Sequence, residues 1–98
     1  MSSGKRILIV DDDEALLQML AEQLQLHEEF VAECVTRGAD ALERAKTDYF
    51  DVIILDVGLA DMDGREVCRL MRRAGVASPI IMLTGADTDA DTILGLDS

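Results

Sequence analysis

Three short apolar runs, each closing on a polar side chain, constrain this chain more than any other feature. Ile7-Leu8-Ile9-Val10 runs into Asp11-Asp12-Asp13, Val52-Ile53-Ile54-Leu55 into Asp56, and Ile80-Ile81-Met82-Leu83 into Thr84. Runs of four apolar, largely β-branched residues predict strands covered on both faces rather than half-exposed ones. A fourth candidate, Phe30 to Val35, alternates Phe30, Ala32 and Cys34 with Val31, Glu33 and Val35, and its glutamate predicts an edge position.

Helical patterns fill the intervals. Leu16, Leu20 and Leu24, with Leu17 beside them, recur at helical spacing, and no Gly or Pro interrupts residues 13–27. Asp13 is placed to cap that helix. Ala41, Leu42 and Ala45 mark a shorter helix that closes before Tyr49. Asp63-Gly64-Arg65-Glu66 has the pattern of a capping box ahead of Val67, Leu70, Met71 and Ala74, with Gly75 as the stop and Pro79 opening the next strand. A last helix is expected to begin near Asp87. Strict alternation of buried-type strands with helices predicts an α/β fold, a doubly wound parallel sheet with helices on both faces. Its ligand site is expected beyond the carboxyl ends of the strands. With 98 residues, one domain or part of one is expected, with no internal repeat or linker.

Charge removes several classes of function. Nine Lys and Arg against 20 Asp and Glu leave a formal net charge of −11, which repels nucleic-acid phosphates and anionic membranes. Cys34 and Cys68 form no CxxC or Cys/His pattern, so they predict two ordinary buried thiols. The start of the chain lacks a long apolar segment, and a cytoplasmic location is expected. Met19, Met62, Met71 and Met82 are expected to fill the core. His27 is expected near a helix end, without a catalytic or ligand role.

Adjacent parallel strands would gather Asp11, Asp12, Asp56 and Thr84 at one sheet edge. Carboxylates so gathered need protons or a cation to relieve their repulsion. Mg²⁺ prefers oxygen ligands at roughly 2.0–2.1 Å and commonly uses one or two carboxylates together with phosphate oxygens. A carboxylate can act as nucleophile toward phosphorus when a cation screens the approaching charges, and Asp56 is the expected nucleophile. Thr84 can donate a hydrogen bond to a phosphoryl oxygen. No GxxxxGK[ST] loop is present, so ATP is not the expected donor.

Four segments together resemble the receiver domains of bacterial two-component response regulators. They are Lys5-Arg6-Ile7-Leu8-Ile9-Val10-Asp11-Asp12-Asp13, Asp51-Val52-Ile53-Ile54-Leu55-Asp56, Asp61-Met62-Asp63-Gly64 and Pro79-Ile80-Ile81-Met82-Leu83-Thr84-Gly85. The resemblance implies a flavodoxin-like sheet of strand order 2-1-3-4. It implies Mg²⁺ held directly by Asp12, directly or through water by Asp11, by Asp56, and by the backbone carbonyl of Gly58. Asp56 is implied as phosphoacceptor and Thr84 as the hydroxyl that couples phosphorylation to a surface change. A sensor histidine kinase or phosphotransfer protein is the implied donor, and an output domain or effector protein the implied recipient of the signal.

Two departures from the family pattern stand out. Ala60 occupies a position where proline is usual, which predicts a less rigid loop. The chain also ends at Ser98, before the family's fifth strand, with its lysine, and fifth helix. Residues 1–98 are therefore expected to be a receiver domain incomplete at its C-terminus, whose uncovered edge favours self-association, as in a homodimer, or instability. Two rival readings remain at this stage. Asp11-Asp12-Asp13 also fits the D-x-D of haloacid-dehalogenase-type phosphotransferases, with Asp11 as nucleophile, although Ala15 departs from that pattern. The other rival is a phosphorylation-independent interaction module.

Overall fold

A computed structural model describes residues 4–83. Seven elements alternate along the chain: β1 (Lys5–Val10), α1 (Glu14–Gln25), β2 (Phe30–Val35), α2 (Gly38–Thr47), β3 (Val52–Asp56), α3 (Gly64–Arg73) and β4 (Ile80–Leu83). The strands form one sheet with all neighbours parallel, as the sequence predicts, in the order β2-β1-β3-β4 that the resemblance implies. Thr84 and the helix expected near Asp87 lie outside the described residues.

Alternation along β1 divides the core in two. Leu8 and Val10 face α2 and α3 and pack with Ile53, Leu55, Val67 and Met71, all essentially buried. Ile7 and Ile9 face the other way, onto α1. The α1 stripe is not quite the one the sequence suggests. Leu17 is buried, with Leu20 and Leu24 beside it, whereas Leu16 is only half-buried. Asp13 caps α1 by accepting from the Leu16 N–H at 3.2 Å.

Further expectations change on contact with the fold. On α3 the buried face is Val67, Cys68 and Met71, while Leu70 is half-buried and Ala74 exposed. Asp63 caps α3 through the Arg65 N–H at 2.8 Å, but Glu66 pairs with Arg69 one turn on instead of reaching back. A guanidinium at i+3 is a stronger, charged donor than the amide of a capping box. Gly75, at φ 91°, ends the helix as expected. Met71 and Met82 are core residues, whereas Met19 is 53% exposed on the outer side of α1. Cys68 is buried and Cys34 half-buried, both as free thiols. His27 meets Phe30 edge-on, ring centroids 6.1 Å apart.

Glu33 sits on edge strand β2 because two arginines hold it there. Arg44 of α2 forks onto the Glu33 carboxylate and also reaches Asp48 at 3.1 Å. Arg6 of β1 contacts Asp48 at 2.6 Å and lies 4.9 Å from the Phe50 ring centroid. This network ties α2 to β1 and β2 at the end of the sheet away from the strand-end aspartates. Hydrogen bonding from Arg6, then from the Tyr49 backbone, holds the Asp48 carboxyl down at about 2, against an ordinary 3.8. A depressed carboxyl contributes stability above its ordinary value and loses it as pH falls through the folded value. Asp48→Asn is therefore expected to flatten the decline of Tm between about pH 4 and pH 2; an unchanged acid limb would show that the network carries no linkage.

Candidate metal and phosphoryl site

The parallel registers bring the acidic strand ends together. Val10 pairs with Leu55 across β1 and β3, so one step further Asp11 lies beside Asp56. Asp56 itself pairs with Leu83 of β4, and the Val57 N–H donates to the Leu83 carbonyl at 3.0 Å. On the other side the Asp11 N–H extends the ladder to Val35 at 3.2 Å. Local backbone thus ties down both flanks of the pocket.

Asp11, Asp12 and Asp56 each turn a carboxylate oxygen toward a common point, all three within 4.8 Å of one another. Asp11 is 8% exposed, and its Oδ1 accepts from the Asp13 N–H at 2.9 Å. Asp12 is exposed and Asp56 half-buried. Burial, then the charge of Asp11, pushes the Asp56 carboxyl above its ordinary value, while the N–H groups of Gly58 and Val57 pull it partly back. Among the described residues no arginine or lysine forms an ion pair with any of the three. The charge is uncompensated, and the donors are hard oxygens, a set that fits a divalent cation such as Mg²⁺.

The loop from Asp56 to Gly64 completes one wall. Gly58 and Asp63 form an antiparallel bridge, whose flanking bond runs from the Gly64 N–H to the Val57 carbonyl at 2.8 Å. No other described residue donates to the Gly58 carbonyl. A Cβ placed on Gly58 would lie 3.9 Å from Asp56 Oδ2, so this residue adjoins the Asp56 carboxylate. Thr84 lies outside the described residues, so its position relative to these groups is not described.

This arrangement matches a known family over nearly the whole chain, residues 7–98 fitting the response regulator receiver domain. The chain belongs to the response regulator receiver domain family. It is 39% identical over 94 residues to the alkaline phosphatase synthesis transcriptional regulatory protein PhoP of Bacillus subtilis, a match covering 96% of this chain and 39% of that protein. The chain thus spans about two-fifths of the length of the curated relatives it matches. Among solved structures, the receiver domain of sensor histidine kinase PA1611 from Pseudomonas aeruginosa has a magnesium ion coordinated in its active-site cleft. It superposes with a TM-score of 0.79 at 28% identity, over 90% of this chain and 73% of that one. Response regulator TrrA from Thermotoga maritima, in complex with Mg²⁺-BeF, superposes at 0.76 with 33% identity, over 84% and 70%.

Membership of the receiver family sets aside the haloacid-dehalogenase reading. Asp61 is the residue that sequence reasoning passed over. Both of its oxygens accept from the first amides of α2, Gly38 at 2.8 Å and Ala39 at 3.1 Å. Its only sequence signal was its place beside Met62-Asp63-Gly64. Among the described residues no helix is long and apolar enough to cross a membrane.

Proposed function

We propose that this receiver domain takes a phosphoryl group from a phosphohistidine onto Asp56 in a Mg²⁺-dependent reaction. The observation that carries the proposal is the convergence of three carboxylate oxygens within 4.8 Å at the carboxyl edge of the sheet. A purely phosphorylation-independent module would leave that uncompensated cluster unexplained. Asp12, exposed at the mouth, and Asp56 supply the accessible oxygens. Asp11, held by the Asp13 amide, supplies a preset one. Gly58, where a Cβ would lie 3.9 Å from Asp56 Oδ2, is assigned to supply a fourth oxygen through its backbone carbonyl. When bound, the cation neutralises charge on the carboxylates and the incoming phosphoryl oxygens.

In the transfer, an Asp56 oxygen forms the new P–O bond as the donor's P–N bond breaks. The bond pair stays with the imidazole nitrogen, which takes a proton from solvent, and Asp56 becomes a mixed carboxyl-phosphoryl anhydride. Thr84 follows Leu83, the β4 residue paired with Asp56, and its hydroxyl is assigned to the new phosphoryl group. The donor is a sensor histidine kinase or phosphotransfer protein, and the recipient an output domain or effector, in the cytoplasm. The domain assists its own phosphorylation and dephosphorylation and is not a conventional enzyme.

The test is direct. Incubate the protein with a small acyl-phosphate donor, with Mg²⁺ or with chelator, and map the modified residue by mass spectrometry. Modification on Asp56 that requires Mg²⁺ is expected; modification on Asp11, or equal modification in chelator, would overturn the assignment.

A further inference from the structure

The loop that carries Gly58 has alanine at position 60, so no proline ring restrains its backbone there. It is nonetheless held at successive points. Leu59 is buried in the core at 8% exposure. Met62 packs where a side chain on Gly38 would stand, its Cγ only 2.6 Å from a Cβ built there. Between them Asp61 reaches across to α2, and each carboxylate oxygen takes one backbone N–H. Those two amides are orphan donors of a helix start.

The cap on α2 is unusual in its source. Arg37, in the N-cap position and extended at φ −131° and ψ 147°, makes no side-chain capping bond. A helix normally finds its cap within its own sequence, as α1 does in Asp13 and α3 in Asp63. Here the cap comes from 22 and 23 residues downstream. The cost of unmaking these bonds therefore falls on the loop as well as on the helix, and the loop is the wall of the phosphoryl site. Backbone donation from Gly38 is also the main cause that lowers the Asp61 carboxyl from its ordinary value, so it stays ionised as a charged acceptor.

We infer that Asp61 is a positioning residue for the metal and phosphoryl site, using the start of α2 as an anchor that holds the 56–64 loop, and with it the Gly58 carbonyl, in place. The inference rests on the proposed Mg²⁺ site. A capping residue with no positioning role would affect stability alone, so the decisive comparison separates the two effects.

Mg²⁺ dissociation constants are measured by calorimetry, at a temperature where every protein is fully folded, for the parent, Asp61→Ala, Asp61→Asn and Asp61→Ala combined with Arg37→Ser. Asp61→Ala is expected to melt earlier and to weaken Mg²⁺ binding about tenfold, the scale of losing an outer group that orients metal ligands. Asp61→Asn, keeping one acceptor oxygen, is expected to fall between. Arg37→Ser supplies a local cap, so the double variant is expected to regain melting temperature but not Mg²⁺ affinity. Unchanged affinity in Asp61→Ala, or affinity restored by Arg37→Ser, would overturn the positioning role while leaving the metal site intact. A parent protein that binds no Mg²⁺ would overturn both.

Discussion

Asp56→Asn is expected to abolish phosphoryl uptake and, in the same protein, to raise the Tm of the metal-free fold at neutral pH. Loss of the attacking oxygen should reduce labelling by at least about 10³-fold, the scale on which removal of a nucleophile is felt. The stability gain follows from the raised Asp56 carboxyl, where burial and the neighbouring Asp11 charge oppose ionisation. Such a group favours the fold most when protonated, and the benefit disappears as pH rises through its folded value. Once ionised, the parent carries a disfavoured carboxylate that the variant lacks. Below the ordinary value of 3.8 the parent is protonated in both folded and unfolded states, so the difference between the two proteins should vanish.

Saturating Mg²⁺ should reverse the order. Binding to the folded state alone stabilises by about 2.7 kcal/mol at a hundredfold excess over Kd, and the variant forgoes most of this because one of its three carboxylates has become an amide. Calorimetric melts at neutral and acid pH, with and without Mg²⁺, check every part. A Tm gain that persists at low pH would refute the electrostatic account, and a variant still labelled at parental rate would refute the nucleophile.

Gly64→Ala is expected to be the most disruptive single-methyl change in the described fold. A Cβ at that position would lie 2.2 Å from the Asp56 carbonyl oxygen, 2.8 Å from Val57 Cα and 2.9 Å from the Asp56 carbonyl carbon. All three are backbone atoms and cannot rotate away. The first residue of α3 sits this close because its N–H donates to the Val57 carbonyl at 2.8 Å, locking the helix start onto the strand that ends in Asp56. Relief requires moving either α3 or the end of β3. Overpacking of this kind costs about 3 kcal/mol, or a fall in Tm on the order of 15 °C for a domain of this size. Denaturant melts measure the first effect. Mg²⁺ affinity should fall with it, because the displaced strand end carries the carboxylate; a variant with parental stability would show that the two segments are not locked together.

The order of elements, the parallel sheet and the gathering of the three aspartates could be read from the chain alone, whereas the strand order 2-1-3-4 came from the family resemblance. The physical reason is locality: an unbroken run such as Ile7 to Val10 declares a strand buried on both faces, and parallel alternation then delivers every strand end to one edge. Asp13 and Asp63 were legible as caps for the same reason, since donor and acceptor lie within three residues. Tertiary contact decided the rest. Leu17 rather than Leu16 is buried, and Cys68 rather than Leu70 or Ala74, because rotation of a helix by a fraction of a turn depends on the surface it meets. Met19 remained outside because the sheet face that α1 covers lies on its other side. Glu33 found Arg44 and Arg6 only once β1, β2 and α2 were side by side. The acidic pocket keeps the form the sequence predicts for Asp11, Asp12 and Asp56. What holds its outer wall, the bonds from Gly38 and Ala39 to Asp61, joins residues 22 and 23 apart, and no local pattern encodes a contact that exists only after α2 and the 56–64 loop have come together.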